Sequence, residues 1–321
     1  GQGTDETELS LNLPLKSPRL RRLDATLRST AEQLAQAERE RRQLYFSGHL
    51  RETLWSQRIA ATRAQFSRRK IELLESLERR QQALFEARST SRYTLLLVRQ
   101  ELMDSRLLLA EQELEASRWQ HHYRQLTGLG NLPGDFEEPS LPAVTAWQQH
   151  PQLRMLELDW QQQQALIAAG DAAAGPWDLA LHARQLDNPQ FDERQYGVSL
   201  EVPVSVFGTA EQSVANEWRT ASRSYWRRRD ELYLQLSQRV SQLQSEGRHL
   251  QRRQAMLDDA AAVSSELIAE TEALLGHNEV GREIWMRRVL GDIDKQGEAA
   301  INLLLIGQNR AMSRQAAGIP L

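Results

Sequence analysis

The side chains that could perform chemistry are few, and their spacing does not suit it. His121 and His122 are adjacent, and neighbours on a helix point about 100° apart, so the pair does not chelate one ion well. Asp258-Asp259 and Asp292/Asp294 fit solvated helix positions better than an acid–base pair. The chain has no cysteine, which excludes thiolate metal sites and a Cys nucleophile. No phosphate loop, dinucleotide fingerprint or Ser/His/Asp motif occurs. We therefore predict no catalytic residue, no metal site and no cofactor, and a protein that is not an enzyme.

Composition favours long helices over a compact globule. Charged residues make up 26% of the 321 residues and aromatic residues only 6%, and the formal net charge is −3. This balance gives no general attraction to nucleic acid, so we predict no nucleic-acid partner. The longest obvious apolar run, Ile301 to Ile306, is far short of the roughly 20 residues of a spanning helix. A membrane segment in this chain would therefore have to be a β-barrel.

Three segments alternate apolar and polar residues with period 2, as strands do. We place strands at about 7–15, 177–186 and 195–204. One face of each is apolar, and the predicted face comprises Leu9, Leu11, Leu13, Leu179, Leu181, Val198, Leu200 and Val202. The pattern leaves two interpretations open: a half-buried soluble sheet, or a barrel with lipid outside and water inside. Trp177 opens the second strand, where it could anchor at a membrane interface.

Each outer strand leads into a very long helical segment. Residues 19–88 contain no proline and only Gly48, and residues 209–275 contain no proline and only Gly247. At about 1.5 Å per residue each would reach roughly 100 Å, which implies a bundle or a coiled coil. Heptad spacing is visible at Leu236, Val240, Leu243, Leu250 and Leu257.

Both long helices break at a short polar segment and return. The breaks lie at 88–92 and 277–281, and the returning helices cover about 93–127 and 282–316. Glycines and prolines between 128 and 142 indicate a loop, and a further helix at about 142–169 leads to the second strand.

The same order of elements occurs twice. Pro14, Ser10 and Leu11 match Pro203, Ser199 and Leu200 at a constant offset, and residues 89–99 match 278–288 at the same offset. We therefore divide the chain into a first repeat at 1–168 and a second at 169–321. By symmetry, we expect the complete protein to contain a further helix and a first strand ahead of residue 1.

The element order resembles that of the TolC-like outer-membrane efflux family, and the resemblance covers nearly all of the chain. His150-Pro151-Gln152-Leu153 resembles the start of the family's helix before a strand. Tyr196 to Gly208 resembles its strand followed by a Phe-Gly turn, a variant common in the heavy-metal efflux branch. Asn278 to Gly281, followed by Ile284, Val289 and Leu290, resembles the second tip and its returning helix.

The resemblance implies a mostly α fold with a β-barrel portion. Each protomer of a homotrimer would give four strands to a shared transmembrane barrel and long coiled-coil hairpins to a periplasmic tunnel. The protein would be a passive exit channel in the outer membrane of a Gram-negative bacterium, in contact with outer-membrane lipid and extending into the periplasm. Its partners would be a periplasmic adaptor protein and an inner-membrane efflux pump for metals or drugs.

The resemblance also assigns roles to particular residues. The adaptor-contacting tips would be Ser89, Thr90, Ser91 and Arg92, with Asn278, Glu279, Val280 and Gly281. Many members carry acidic residues just after the second tip, at the periplasmic aperture, whereas this chain has Trp285-Met286-Arg287-Arg288. By analogy we place Arg287 at the aperture.

Two other functions remain open. A soluble coiled-coil scaffold or adaptor would explain the helices but has no use for strands with an apolar face. An exit duct for type I protein secretion would share the whole architecture and differ only in its cargo.

Overall fold

The computed structural model describes residues 5–141, 147–172, 177–188, 191–202, 209–274 and 279–321. Within these ranges the chain forms three strands and five α-helices. They are β1 (Asp5–Leu15), α1 (Pro18–Glu86), α2 (Arg92–Thr127), α3 (Pro151–Ala172), β2 (Trp177–Asn188), β3 (Phe191–Glu201), α4 (Thr209–Leu274) and α5 (Glu279–Ala316), with a short 3₁₀ turn at Trp147–Gln149. The mostly helical fold with a small sheet confirms the predicted fold class.

Contacts between residues divide the chain into two compact units. The first comprises Gly1–Arg41 and Trp147–Leu234, and the second comprises Arg42–Ala146 and Gln235–Leu321. This division follows packing and cuts across the two sequence repeats, because α1 and α4 each pass through both units. The repeat boundaries at 168 and 169 stay a prediction.

The first unit contains an antiparallel sheet in the order β1-β2-β3. Leu11 pairs with Leu181, which pairs in turn with Val198, and Leu13, Leu179 and Leu200 form the next row. β2 extends to Asn188, two residues beyond the predicted end, because its last residues still pair with β1 and β3. The third strand begins earlier than predicted and ends at Glu201, while Val202 follows it and residues 203–204 lie outside the described ranges.

The helix before β2 begins later than predicted. α3 starts at Pro151, not near 142, because proline lacks the N–H that a helix interior needs but fits the first helical position. His150 stands just before it, and its Nδ1 accepts a hydrogen bond from Gln152 N at 3.3 Å. Burial lowers the pKa of His150 to about 4, so the ring stays neutral and able to accept this bond down to about pH 4.

The core of the second unit lies where α1, α2 and α5 meet. Its buried centre consists of Ile71, Leu74, Leu77, Val98, Leu102 and Leu290. Trp285 and Met286 pack against this cluster from the first part of α5. The heptad positions predicted on α4 also face inward, since Val240, Leu243 and Leu250 are buried.

Candidate functional site

The apolar face predicted for the strands exists as one continuous surface of the sheet. The strand register puts seven of the eight predicted side chains on the same side, since residues directly opposite each other in a sheet point to the same face, and Val202 follows the last paired residue of β3. Most of them are exposed, up to 73% for Leu9 and Val198. A contiguous exposed apolar surface of this kind marks a site of interaction with another molecule or with lipid.

Aromatic side chains stand at both ends of this apolar face. Trp177 pairs with Leu15 at the end next to the helices, and Tyr196 pairs with Ala183 in the row of Leu9. The two rows are six residues apart along β2, or roughly 20 Å. Apolar bands of about this height flanked by aromatic residues are typical of lipid-facing sheets. Tyr196 was not singled out from the sequence, although its place in the alternation with Val198 could have identified it.

The opposite face of the sheet is polar. His182 Nε2 lies 3.2 Å from Ser199 Oγ, and its other ring nitrogen lies 3.9 Å from Glu8. The sheet thus has one surface suited to an apolar environment and one suited to water.

The first tip is a compact turn built by side-chain and backbone capping. Ser89 N donates to Leu84 O at 2.8 Å, and Arg88 N donates to Phe85 O at 3.0 Å, which is the hydrogen-bond pattern of a Schellman motif. Arg88 takes the left-handed position with a φ of 57°, where glycine is usual. Ser91 then caps α2 by accepting from Thr94 N at 3.2 Å. Arg92, predicted as part of the turn, is the first residue of α2.

At the second tip, α5 begins at Glu279, earlier than the sequence predicted. Glu279, Val280 and Gly281 therefore form the first helical turn, while Asn278 lies outside the described residues.

Arg287 is exposed on α5, directly after the two side chains that pack on the core of the second unit. Arg288 is exposed as well. The anchoring of Trp285 and Met286 fixes the rotation of α5 at this level, so the two arginines leave the helix in directions about 100° apart.

The α2 helix carries two heptad seams, only one of which is used within the chain. The inner seam packs inside the second unit and consists of Leu95, Val98, Leu102, Ser105, Leu109, Gln112, Ala116, Trp119 and Tyr123, all buried or half-buried. The outer seam has the same alternation of three and four residues and is exposed throughout: Tyr93, Leu96, Gln100, Met103, Leu107, Ala110, Leu114, Ser117 and His121. Leu107, at its centre, is 67% exposed. A sustained seam of this type is built to receive a second helix.

A shorter exposed stripe lies on α4 in the same unit. Met256, Ala260, Val263 and Leu267 follow at intervals of four, three and four residues, and three of them are exposed. This α4 stripe has the spacing needed to pack against the outer seam of another α2 helix.

The structure reveals no metal centre among the residues that it describes. Those residues include no group of three or more His, Cys, Asp or Glu side chains that could hold an ion. His121 belongs to the outer seam, and the His122 ring lies edge-on to Trp119 at 5.9 Å. No described helix combines the length and apolarity needed to cross a membrane.

No protein-family model matches the chain, and no curated protein matches it in sequence. Solved structures do match. CusC, which forms a transmembrane channel, is similar over 99% of this chain and 84% of its own, with a TM-score of 0.72 and 13% identity. The Neisseria gonorrhoeae outer-membrane channel MtrE is similar over 99% of this chain and 80% of its own, with a TM-score of 0.69 and 15% identity. The Campylobacter jejuni outer-membrane channel CmeC is similar over 99% and 79%, with a TM-score of 0.64 and 11% identity. These structures confirm the resemblance inferred from the sequence: the chain has the fold of the TolC-like outer-membrane channels.

Proposed function

We propose that the protein is a passive exit channel in the outer membrane of a Gram-negative bacterium. The observation that carries the proposal is the exposed apolar sheet face bounded by Trp177 and Tyr196, on a chain with the fold of outer-membrane channels. In this proposal the apolar face contacts lipid, the polar face with His182 lines the water-filled interior, and the helices enclose a periplasmic tunnel. The strands argue against the soluble scaffold, which has no need of such a face.

The channel is proposed to be a homotrimer. The three strands that the structure describes are too few to close a barrel on their own, which supports a barrel shared between several copies. The outer seam of α2 and the α4 stripe are different surfaces, so one copy can offer its seam to the stripe of the next. Contacts of this head-to-tail type can close into a ring, and the resemblance to the outer-membrane channels supports three copies.

Two aspartates in the outer seam are expected to break the trimer. Leu107→Asp with Leu114→Asp would place charges in a helix contact that excludes water, so the complete protein should run mostly as a monomer in mild detergent. Leu108→Asp is the matched control, because Leu108 is similarly exposed but lies off the seam. Mass measurement by light scattering or native mass spectrometry distinguishes the outcomes. A native protein that is stably monomeric would overturn the trimer, and a trimer that survives both aspartates would remove the seam from its interface.

The helical tips are proposed to dock to the hairpin end of a periplasmic adaptor protein, which links the channel to an inner-membrane pump. Ser89, Thr90, Ser91 and Arg92 would contribute from the first tip, and Asn278, Glu279, Val280 and Gly281 from the second. The capped first tip supports this role, because a turn fixed by Ser91 and by the Schellman bonds presents its polar groups without further ordering. Metal ions, drugs or secreted proteins would all suit such a duct, and the pump would select among them.

Arg287 is proposed to face the aperture, where three copies would form a basic ring that disfavours cations. Arg287→Ala is expected to raise the single-channel conductance of the isolated channel and to shift its selectivity toward cations. Arg288→Ala, one residue away, should have much less effect because its side chain leaves α5 about 100° from Arg287. Recordings in a planar bilayer measure both quantities. Unchanged conductance and selectivity in Arg287→Ala would remove Arg287 from the aperture and leave the channel proposal intact.

A further inference from the structure

The segment that leads from β1 into α1 is strongly basic. Five exposed basic side chains lie within thirteen residues: Lys16, Arg19, Arg21, Arg22 and Arg28. We refer to these five as the basic segment. Asp24 is the one acidic residue among them in the sequence, and it pairs with Lys16. Arg21 Nε and Arg22 Nε donate to the neutral backbone carbonyls of Lys16 and Pro18, at 3.1 and 3.3 Å. Positive charge is thus concentrated here in a chain whose formal net charge is −3.

The fold itself does not require this charge. In the second sequence repeat, the five corresponding positions are Ser205, Gly208, Ala210, Glu211 and Glu217, so the chain passes from β3 to α4 without any basic residue at these positions. Helix stability does not explain the arginines either. The first turn of α1 has no acidic residue, and cations near the start of a helix oppose its dipole.

The position of the basic segment relative to the apolar sheet face indicates which part of a membrane it would contact. Leu15 and Trp177 form the last row of the apolar sheet face, and Lys16 follows Leu15 directly. Arg22 lies four residues into α1, or roughly 6 Å along its axis. The headgroup layer beside a bilayer core of about 30 Å is itself roughly 5–7 Å thick on each side. If the sheet spans the membrane, as the proposed function requires, the basic segment therefore lies at the depth of the lipid headgroups on the helical side.

We propose that the basic segment binds the phosphate groups of anionic phospholipids in the leaflet next to the helices. The guanidinium groups of Arg21 and Arg22 suit this ligand, because their planar N–H donors match phosphate oxygens in pairs. Binding continues the lipid contact of the apolar face into the headgroup layer and fixes the depth at which the sheet sits. The excess positive charge of the basic segment thereby meets the negative charge of the lipid surface.

The test compares lipid preference in two matched pairs of variants. The complete protein in mild detergent is titrated with phosphatidylglycerol and with phosphatidylcholine, and bound lipid is counted by native mass spectrometry. Arg21→Gln with Arg22→Gln should reduce the preference for phosphatidylglycerol about 25-fold, since each basic side chain near an anionic surface contributes about fivefold. Arg79→Gln with Arg80→Gln, an exposed adjacent pair further along the same helix, should leave the preference unchanged.

Two additional measurements test whether the positive charge is responsible for the lipid preference. Arg21→Lys with Arg22→Lys should retain most of the preference, because it retains the charge. Added NaCl should weaken the preference of the native protein, since salt screens exposed charges. Equal binding of the two lipids by the native protein, or equal loss in the two Gln pairs, would overturn the inference. Incorporation into vesicles distinguishes failure of this inference from failure of the proposed function. A protein that enters vesicles without a lipid preference overturns this inference alone, whereas a protein that enters vesicles of neither lipid overturns the proposed channel as well.

Discussion

Arginine at position 181 is expected to destabilise the membrane-inserted protein by about 2–4 kcal/mol per copy, the cost measured for arginine near the bilayer midplane on a lipid-facing sheet. Leu181 lies in the middle strand and pairs with Leu11 and Val198 in the centre of the apolar face. A guanidinium there has no water to solvate it and no acidic neighbour in its row. The effect is measured as the free energy of folding into lipid vesicles, with the heat sensitivity of the inserted protein as the readout.

Ser199→Arg is the matched control for this substitution. Ser199 pairs with Ala180, next to Leu181 in β2, so it lies at almost the same level but on the polar face. Arginine at Ser199 or at Ser10 should be tolerated because the proposed channel exposes the polar face to water. Arginine at Leu11 or Leu200 should behave as at Leu181. Equal effects on the two faces would show that the face assigned to lipid is wrong.

The strands and long helices could be predicted because each follows from a strong local rule. Period-2 alternation fixes which side chains share a face, and the register of Leu11, Leu181 and Val198 confirms that face. The absence of proline after the first residue of α1 and throughout α4 permits these helices to continue for 69 and 66 residues. Helix ends were less predictable. The start of α3 depends on how Pro151 and His150 cap it, and the left-handed residue that follows α1 is arginine instead of glycine.

Contacts between distant residues could not be predicted from the sequence. Gly247 interrupts the heptad seam of α4, and only the structure shows why. The Asn309 amide donates to Leu243 O at 3.0 Å, and a Cβ on Gly247 would come within 2.7 Å of Asn309 Oδ1. Asn302 makes the same type of bond to Leu250 O at 2.9 Å. A side-chain amide that bonds the backbone of a neighbouring helix leaves no periodic signal in either helix.

The outer seam of α2 could have been found from the sequence but was not. Its members recur at three- and four-residue intervals, as those of the inner seam do. Polar side chains at Gln100, Ser117 and His121 dilute the apolar signal, so the seam is visible only once the inner seam has been assigned to contacts within the chain.

Removing the Glu138 carboxylate is expected to cost about 3–5 kcal/mol, the typical loss when one partner of a buried ion pair is deleted. Arg51 is only 1% exposed, and its guanidinium binds both carboxylate oxygens of Glu138 at 2.7 and 2.5 Å. Arg314 reaches the same carboxylate at 3.0 Å, so α1, α5 and the loop after α2 meet at one anion. Glu138→Ala would leave Arg51 and Arg314 without this carboxylate. Thermal unfolding in detergent and proteolysis of the loop at 128–141 measure the loss.

An exposed pair in the same unit provides the control. Arg68 Nη2 lies 2.7 Å from Glu113 Oε1, and both side chains are about half exposed. Glu113→Ala should therefore cost no more than about 1 kcal/mol, because water already solvates both charges. Arg51 also donates to Gln315 Oε1 and to Ile319 O, at 2.6 and 2.9 Å, and these bonds remain in Glu138→Ala. They are neutral acceptors and do not replace the lost negative charge. If Glu138→Ala and Glu113→Ala lowered stability equally, Glu138 would not be the charge that holds the loop to the helices, and the two neutral acceptors would suffice for Arg51.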